Sequence, residues 1–211
     1  MYITALIKAL NINFIFKFNS FLWKILLQLN NVKVGKNFYV EGAISLKIKG
    51  SRKDPIIFGD NVSIFGNLDL RTRENGKIIV CNDVKFDSNI RLVAARSGLI
   101  SIGDNTKIGC NTIMNAGENI FIEKNCLIGA YCNINSSDHI TEGKKDCTEL
   151  GYKHSPIQIG RGVWIGTNVV ILPGVKVGKG SIVGASSVVT KNISNFSISV
   201  GIPSKTIKKR Q

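Results

Sequence analysis

Two histidines, His139 and His154, lie in one polar stretch from Ser136 to Ser155. An imidazole has an ordinary pKa of ~6.5, so it can take a proton from a weak nucleophile near neutral pH. His139, in Ser137-Asp138-His139-Ile140, is the candidate general base; His154, at the end of the stretch, is read as structural. A general base of this kind needs an acceptor for its second ring nitrogen, and Glu142, Glu149 or a backbone carbonyl could supply it. No serine or cysteine sits in a G-x-S-x-G or similar activated-nucleophile motif, which favours direct chemistry over a covalent enzyme intermediate. Two histidines are too few for a three-histidine metal centre, and no metal is expected. The five cysteines, Cys81, Cys110, Cys126, Cys132 and Cys147, are odd in number and form no CxxC pair, so a disulfide framework is a poor reading and a reducing cytoplasm a better one. Cys110, Cys126 and Cys132 read as fillers of small core or turn positions.

The elements that must position His139 are written in a six-residue period. An aliphatic residue recurs at Ile159, Ile165, Ile171, Val177, Val183 and Val189, usually followed by glycine. The same phase governs Ile102, Ile108, Ile122, Ile128 and Ile134, with weaker copies back to Val34. Six suits neither an amphipathic helix nor a long strand. It suits a chain that runs a short strand, turns a corner and repeats, three edges making one triangular coil. Stacked coils pair as parallel strands, and each needs its neighbours to bury its apolar face. Asp60-Asn61, Asn82-Asp83, Asp104-Asn105 and Lys124-Asn125 fall at one recurring corner, where a positive φ is often needed. The expected fold is all-β: a left-handed parallel β-helix, a triangular prism of hexapeptide repeats, with a short N-terminal helical segment. The period breaks between Ile134 and Ile159, and the loop 135–158 inserted there carries both histidines; a long loop thrown from a regular solenoid is usually functional. Smaller shifts near Leu70–Lys77 and Ala94–Leu99 read as corner insertions.

The chain of 211 residues is organised as an N-terminal amphipathic helical segment, 1–30, a β-helix domain, 31–200, and a basic C-terminal tail, 201–211. Residues 1–30 are apolar but interrupted by Lys8, Lys17, Lys24 and several amides, so they make neither a membrane span nor a secretory signal. Two roles fit a basic amphipathic helix there: lying on an anionic membrane surface, or capping the first coil. Lysine and arginine outnumber aspartate and glutamate by 28 to 14, a net charge of +14 that favours anionic partners. Basic residues are not interleaved with aromatics, and no nucleic acid is expected as a partner.

The run Pro156-Ile157-Gln158-Ile159-Gly160-Arg161-Gly162-Val163-Trp164-Ile165-Gly166 continues through Ile171-Leu172-Pro173-Gly174-Val175 and Ile182-Val183-Gly184-Ala185-Ser186-Ser187-Val188-Val189-Thr190-Lys191 to Gly201-Ile202-Pro203-Ser204-Lys205. This ordered set resembles the hexapeptide-repeat acyltransferases, in particular the branch that O-acetylates sugars and polysaccharides. The resemblance is strongest from Asn133 to Lys208 and does not cover the first 30 residues. It implies a homotrimer with active sites in clefts between adjacent prisms; the cysteines add a cytoplasmic expectation, and the basic, apolar residues 1–30 peripheral contact at the inner face of the membrane. The resemblance places His139 at the family's catalytic position, on the inserted loop. Trp164, Thr167 and Ala185 match positions along the pantetheine arm of acetyl-CoA, Thr190 and Lys191 the adenine and phosphate region, and Lys205 and Lys208 basic positions near the CoA phosphates. Asn115 and Asp138 are candidates for the acceptor side. Many relatives carry a second histidine two residues after the first, where this chain has Thr141.

The implied function is acetyl-CoA-dependent O-acetyl transfer to a sugar hydroxyl of a surface polysaccharide or its precursor. N-acetylation of an amino-sugar nucleotide is the neighbouring alternative, and a non-catalytic β-helix scaffold the alternative of another class. Serine acetyltransferases carry a large helical N-terminal domain not seen here, and the γ-class carbonic anhydrases share the prism but need three histidine ligands.

Overall fold

The structure is a computed structural model that describes residues 12–50, 53 and 55–211. Its body is a left-handed parallel β-helix of about seven turns. Three sheets form the faces of the prism, and successive coils contribute one strand to each. The first face runs from Val32–Val34 through Ile56–Phe58, Lys77–Val80, Leu99–Ile102, Ile120–Ile122 and Ile157–Ile159 to Lys176–Val177. The second starts at Tyr39–Val40 and includes Lys107–Ile108, Leu127–Ile128, Trp164–Ile165 and Ile182–Val183. The third starts at Ile44–Lys49 and includes Leu68–Arg73, Ile113–Ala116, Asn133–Asn135, Val170–Ile171 and Val188–Val189. Apart from the two antiparallel pairs described below, neighbouring strands are parallel.

The period maps onto the interior. Phe58, Ile64 and Leu70 are buried at six-residue spacing on the three faces, as are Ile122, Ile128 and Ile134, and Ile159, Ile165 and Ile171. Only the last of these coils closes on six more residues, at Val177; the earlier ones take longer, Leu70 being followed in phase by Val80 and Met114 by Ile122. All the surplus falls on one edge of the prism, between the third and first faces. The inserted loop leaves from that same edge, between Asn135 and Ile157. An edge is the only place where extra chain can leave without breaking a ladder of parallel hydrogen bonds.

The opposite turn, from first face to second, stacks polar residues in the left-handed backbone region: Asn61 at φ 59°, Asp83 at 58°, Asn105 at 54° and Asn125 at 62°. Their side chains continue the ladder, Asn61 Nδ2 donating to Asp83 Oδ1 and Asn105 Nδ2 to Asn125 Oδ1, both at 2.9 Å. Asparagine and aspartate tolerate this conformation because a short polar side chain can bond locally. Cys126 and Cys132 fill small interior positions, and their thiols donate to the carbonyls of Gly160 and Gly166 in the next coil. Burial pushes both thiols above their ordinary pKa.

A helix, Ile12–Leu29, lies across the open end of the first coil. Asn19 Nδ2 donates to the carbonyls of Val40 and Gly42, the Ser20 hydroxyl accepts the Val40 N–H at 2.8 Å, and Lys24 Nζ donates to Gly35 O at 2.7 Å. Leu27 is buried and Trp23 packs on the core. The described residues of this segment pack on the first coil, one of the two roles that fit it; residues 1–11 of the 1–30 segment lie outside them. At the other end, Lys205–Lys209 of the stretch read as a basic tail forms a strand antiparallel to Ser197–Val200, closing the second face. Lys209 Nζ reaches Ser194 Oγ and Ser197 Oγ, and Arg210 donates to Gly180 O. The pairing supplies partners for an edge that the last coil would otherwise leave open.

Candidate functional site

The inserted loop is organised by an antiparallel hairpin in which Ser137–His139 pairs with Tyr152–His154, His139 standing opposite Tyr152. A short helix, Cys147–Leu150, lies between the two strands. The root of the hairpin is tied to the coils on either side. Ser136 is fully buried; its N–H donates to Asn115 O at 3.0 Å and its hydroxyl to Glu118 O at 2.7 Å. Ser155 N donates to Ser136 O, and Gly174 N, one coil on, to Ser155 O. Asn135 Oδ1 accepts the Ser137 N–H at 3.1 Å, fixing the direction in which the first strand departs.

His139 is exposed, and its ring lies against Tyr152, centroids 4.3 Å apart with the planes tilted by 42°. Tyr152 is in turn near-parallel to the His154 ring at 6.3 Å. His154 is fixed from below: its Nδ1 is 2.9 Å from Ser137 Oγ, and Gly117 of the preceding coil lies directly beneath. A Cβ on Gly117 would collide with Ser137 Oγ and come within 2.5 Å of His154 Nδ1, so only glycine leaves room for this packing.

Two of the carboxylates near His139, those of Asp138 and Glu142, are engaged elsewhere. Asp138 Oδ1 accepts the backbone N–H of His139 at 2.9 Å. Glu142 accepts backbone N–H groups and pairs with Lys153 Nζ at 3.5 Å, contacts that hold its carboxyl below the usual range. Glu149 sits in the short helix and its N–H donates to Asp146 O. Among the described residues, none of the three bonds to the His139 ring, and Tyr152 is the group that sets its plane.

The other expected site residues fall into separate places on the prism. Asn115 faces outward from the third face, one coil below Asn135, and its carbonyl anchors the hairpin root. Thr167 and Ala185 occupy the edge between the second and third faces, one coil apart: Thr167 O accepts the Ser186 N–H at 2.8 Å, and Gly166 lies directly against Ala185. Trp164 points outward on the second face, between Leu127 and Ile182 in register, and is 52% exposed, so it takes no part in interior packing. Thr190 and Lys191 are exposed on the edge from which the hairpin leaves, two coils further on. Lys205 and Lys208 lie on the closing strand. Thr167 and Ala185 are thus brought together, while the hairpin with His139 stands on a different edge of the same prism. Tyr152, Ser137, Asn135 and Gly117 hold the hairpin and carried no motif; the register that sets Tyr152 against His139 becomes visible only once the loop is paired. Among the described residues, no group of three or more His, Cys, Asp and Glu side chains could hold a metal ion.

A prism of six-residue coils with a hairpin at one edge defines a hexapeptide-repeat β-helix protein. The sequence profile of the bacterial transferase hexapeptide (six repeats) matches residues 156–191, and that of the hexapeptide repeat of succinyl-transferase matches 119–136. A Mycobacterium tuberculosis protein bearing the name probable acetyltransferase is 31% identical over 160 residues, 74% of this chain and 50% of the relative. A hexapeptide-repeat acetyltransferase of Vibrio cholerae, solved with acetyl-coenzyme A, is 33% identical over 53% of this chain and 61% of its own, with a TM-score of 0.51. The N-acyltransferase AntD of Bacillus cereus, solved as a serine-to-alanine mutant with dTDP-4-amino-4,6-dideoxyglucose and coenzyme A, is 23% identical, covers 89% of both chains and has a TM-score of 0.61; at that identity it speaks for the fold alone. The chain spans about half the length of the curated relatives it matches. Over its repeats the chain is thus similar to hexapeptide-repeat proteins named as acetyltransferases.

Proposed function

We propose that the chain is an acetyl-CoA-dependent O-acetyltransferase acting on a sugar hydroxyl of a surface polysaccharide or its precursor, with His139 as general base. The observation that carries this reading is the hairpin: the large insertion 135–158 is anchored to the coils on both sides and presents an exposed imidazole held by Tyr152. His139 takes the proton of the acceptor hydroxyl as its oxygen attacks the thioester carbonyl carbon. The carbon–sulfur bond then breaks, and the sulfur leaves with a proton as free CoA. Likeness to a Vibrio cholerae protein solved with acetyl-coenzyme A supports the donor.

Thr167 and Ala185 would line the pantetheine arm, with Trp164 beside them, and Thr190, Lys191, Lys205 and Lys208 the nucleotide end. His139 and the Thr167–Ala185 edge stand on different edges of one prism, which favours a cleft between two prisms of a homotrimer, each supplying one edge. Asn115, at the hairpin root, and Asp138 remain the candidates for the acceptor side. The test is CoA release from acetyl-CoA across a panel of hydroxyl sugars and amino-sugar nucleotides. Release with hydroxyl acceptors supports the reading, release with amines alone turns it to N-acetylation, and failure to bind acetyl-CoA points to a scaffold.

A further inference from the structure

Three polar side chains of the N-terminal helix face the protein. Asn19, Ser20 and Lys24 all bond to backbone carbonyls or N–H groups of the first coil, and Leu27 is buried beside them. The side turned away is apolar: Phe14, Phe18, Leu22, Ile25 and Leu29 follow one another at spacings of three and four, all exposed, Phe14 at 66% and Leu29 at 74%. Ile15, Phe21 and Leu26 widen the stripe. An apolar stripe of this width is ordinarily covered, and this one lies on the side of the helix turned away from the prism. Its 18 residues make a rod about 27 Å long, laid across the end of the prism rather than along it.

Charge selects the occupant. Residues 12–50 hold six lysines, Lys17, Lys24, Lys33, Lys36, Lys47 and Lys49, against one acid, Glu41. Lys17 is exposed on the helix itself, and Lys36, Lys47 and Lys49 are exposed on the first coil beneath it. An apolar stripe bordered by lysines matches an anionic lipid surface, with acyl chains taking the stripe and headgroups the amines. A second copy of the chain would bring the same lysines against one another. No helix among the described residues is long and apolar enough to cross a membrane.

We infer that the exposed face of Ile12–Leu29 docks the protein on an anionic membrane surface, helix flat in the interface and prism axis standing away from it. The hairpin leaves the fifth coil, so His139 would stand about 20 Å beyond the first coil, four strand spacings of ~4.8 Å, and about 30 Å from the membrane-facing side of a helix ~10 Å thick. That height suits acceptors carried on a lipid headgroup. Vesicle binding needs no catalytic group, so it stands or falls apart from the acetyl-transfer reading.

The test is flotation of the purified full chain with vesicles of phosphatidylcholine alone and of phosphatidylcholine with phosphatidylglycerol. The expected result is at least about tenfold more protein floating with the anionic vesicles. Two variants separate the contributions. Phe14→Ser/Phe18→Ser/Leu22→Ser should lose flotation while keeping its β-sheet circular dichroism, and Lys36→Glu/Lys47→Glu/Lys49→Glu should lose the preference for anionic lipid. Absence of wild-type flotation, or equal flotation of wild type and serine variant, overturns the inference. So does a wild type that ignores vesicles but shrinks in size-exclusion chromatography when the serines are introduced, which would assign the face to a second copy.

Discussion

The contact between His139 and Tyr152, at 4.3 Å, fixes the plane of the imidazole without engaging either ring nitrogen. That arrangement suits a base that must meet an acceptor hydroxyl arriving from solvent. His139→Ala should lower CoA release by about 10²- to 10⁴-fold, the usual worth of a positioned general base, with the fold intact by circular dichroism. Tyr152 acts through the histidine, and aromatic pairs contribute ~0.5–1.5 kcal/mol. Tyr152→Ala should therefore cost roughly two- to tenfold, mostly in kcat, and Tyr152→Phe should restore it, since the ring and not the hydroxyl makes the contact. Gly117→Ala tests the support beneath: the added methyl would meet Ser137 Oγ and the His154 ring, so these two side chains must give way and activity should fall modestly while the melting temperature of the prism changes little. An unchanged rate in Gly117→Ala would mean the hairpin moves freely on its root. Tyr152 itself could not be picked out from the sequence, because its role follows from a register between two strands of a loop that carries no repeat.

At the scale of the elements, the six-residue period was legible because each face places one aliphatic residue inside, at Ile159, Ile165 and Ile171 and again one coil on. Each is fully buried, so Ile165→Ala should destabilise the chain by about 2–5 kcal/mol through lost contacts and a cavity, measured by urea unfolding. The corner asparagines were legible for a related reason: only a few residue types tolerate a left-handed backbone, and they recur at Asn61, Asp83, Asn105 and Asn125. What the pattern did not carry is where the surplus goes. Ten residues separate Leu70 from Val80 and six separate Ile171 from Val177, yet the sequence does not say that all extra length leaves from one edge. Nor did it distinguish a solvated tail from the strand Lys205–Lys209, whose lysines are all exposed and whose pairing is made by backbone and by Ser199 with Thr206. The buried thiols add a pH dependence. With the folded pKa of Cys126 and Cys132 raised by burial, the unfolded chain ionises these groups first. Stability is then full below the ordinary thiol range and falls as the pH rises through it. A Cys126→Val/Cys132→Val variant should show a flatter decline in urea midpoint on the alkaline side.

At the scale of the whole molecule, His139 stands at the hairpin edge and Thr167 and Ala185 at another, and an assembly in which neighbouring prisms share a cleft would unite them. Mixing His139→Ala chains with chains blocked at the other edge by Ala185→Trp should regenerate some activity, because a fraction of clefts then pairs the intact His139 edge of one variant with the intact Thr167–Ala185 edge of the other. With random assembly from equal amounts that fraction is about one quarter. Two inactive variants that stay inactive after mixing and reassembly would place the whole site within one chain. Both outcomes presuppose the reaction, and the reaction is tested most directly by CoA release from acetyl-CoA in the presence of a hydroxyl sugar acceptor, wild type against His139→Ala. The account predicts acceptor-dependent release by the wild type, lost by about two orders of magnitude or more in the variant with acetyl-CoA binding retained. Full release by His139→Ala would contradict it.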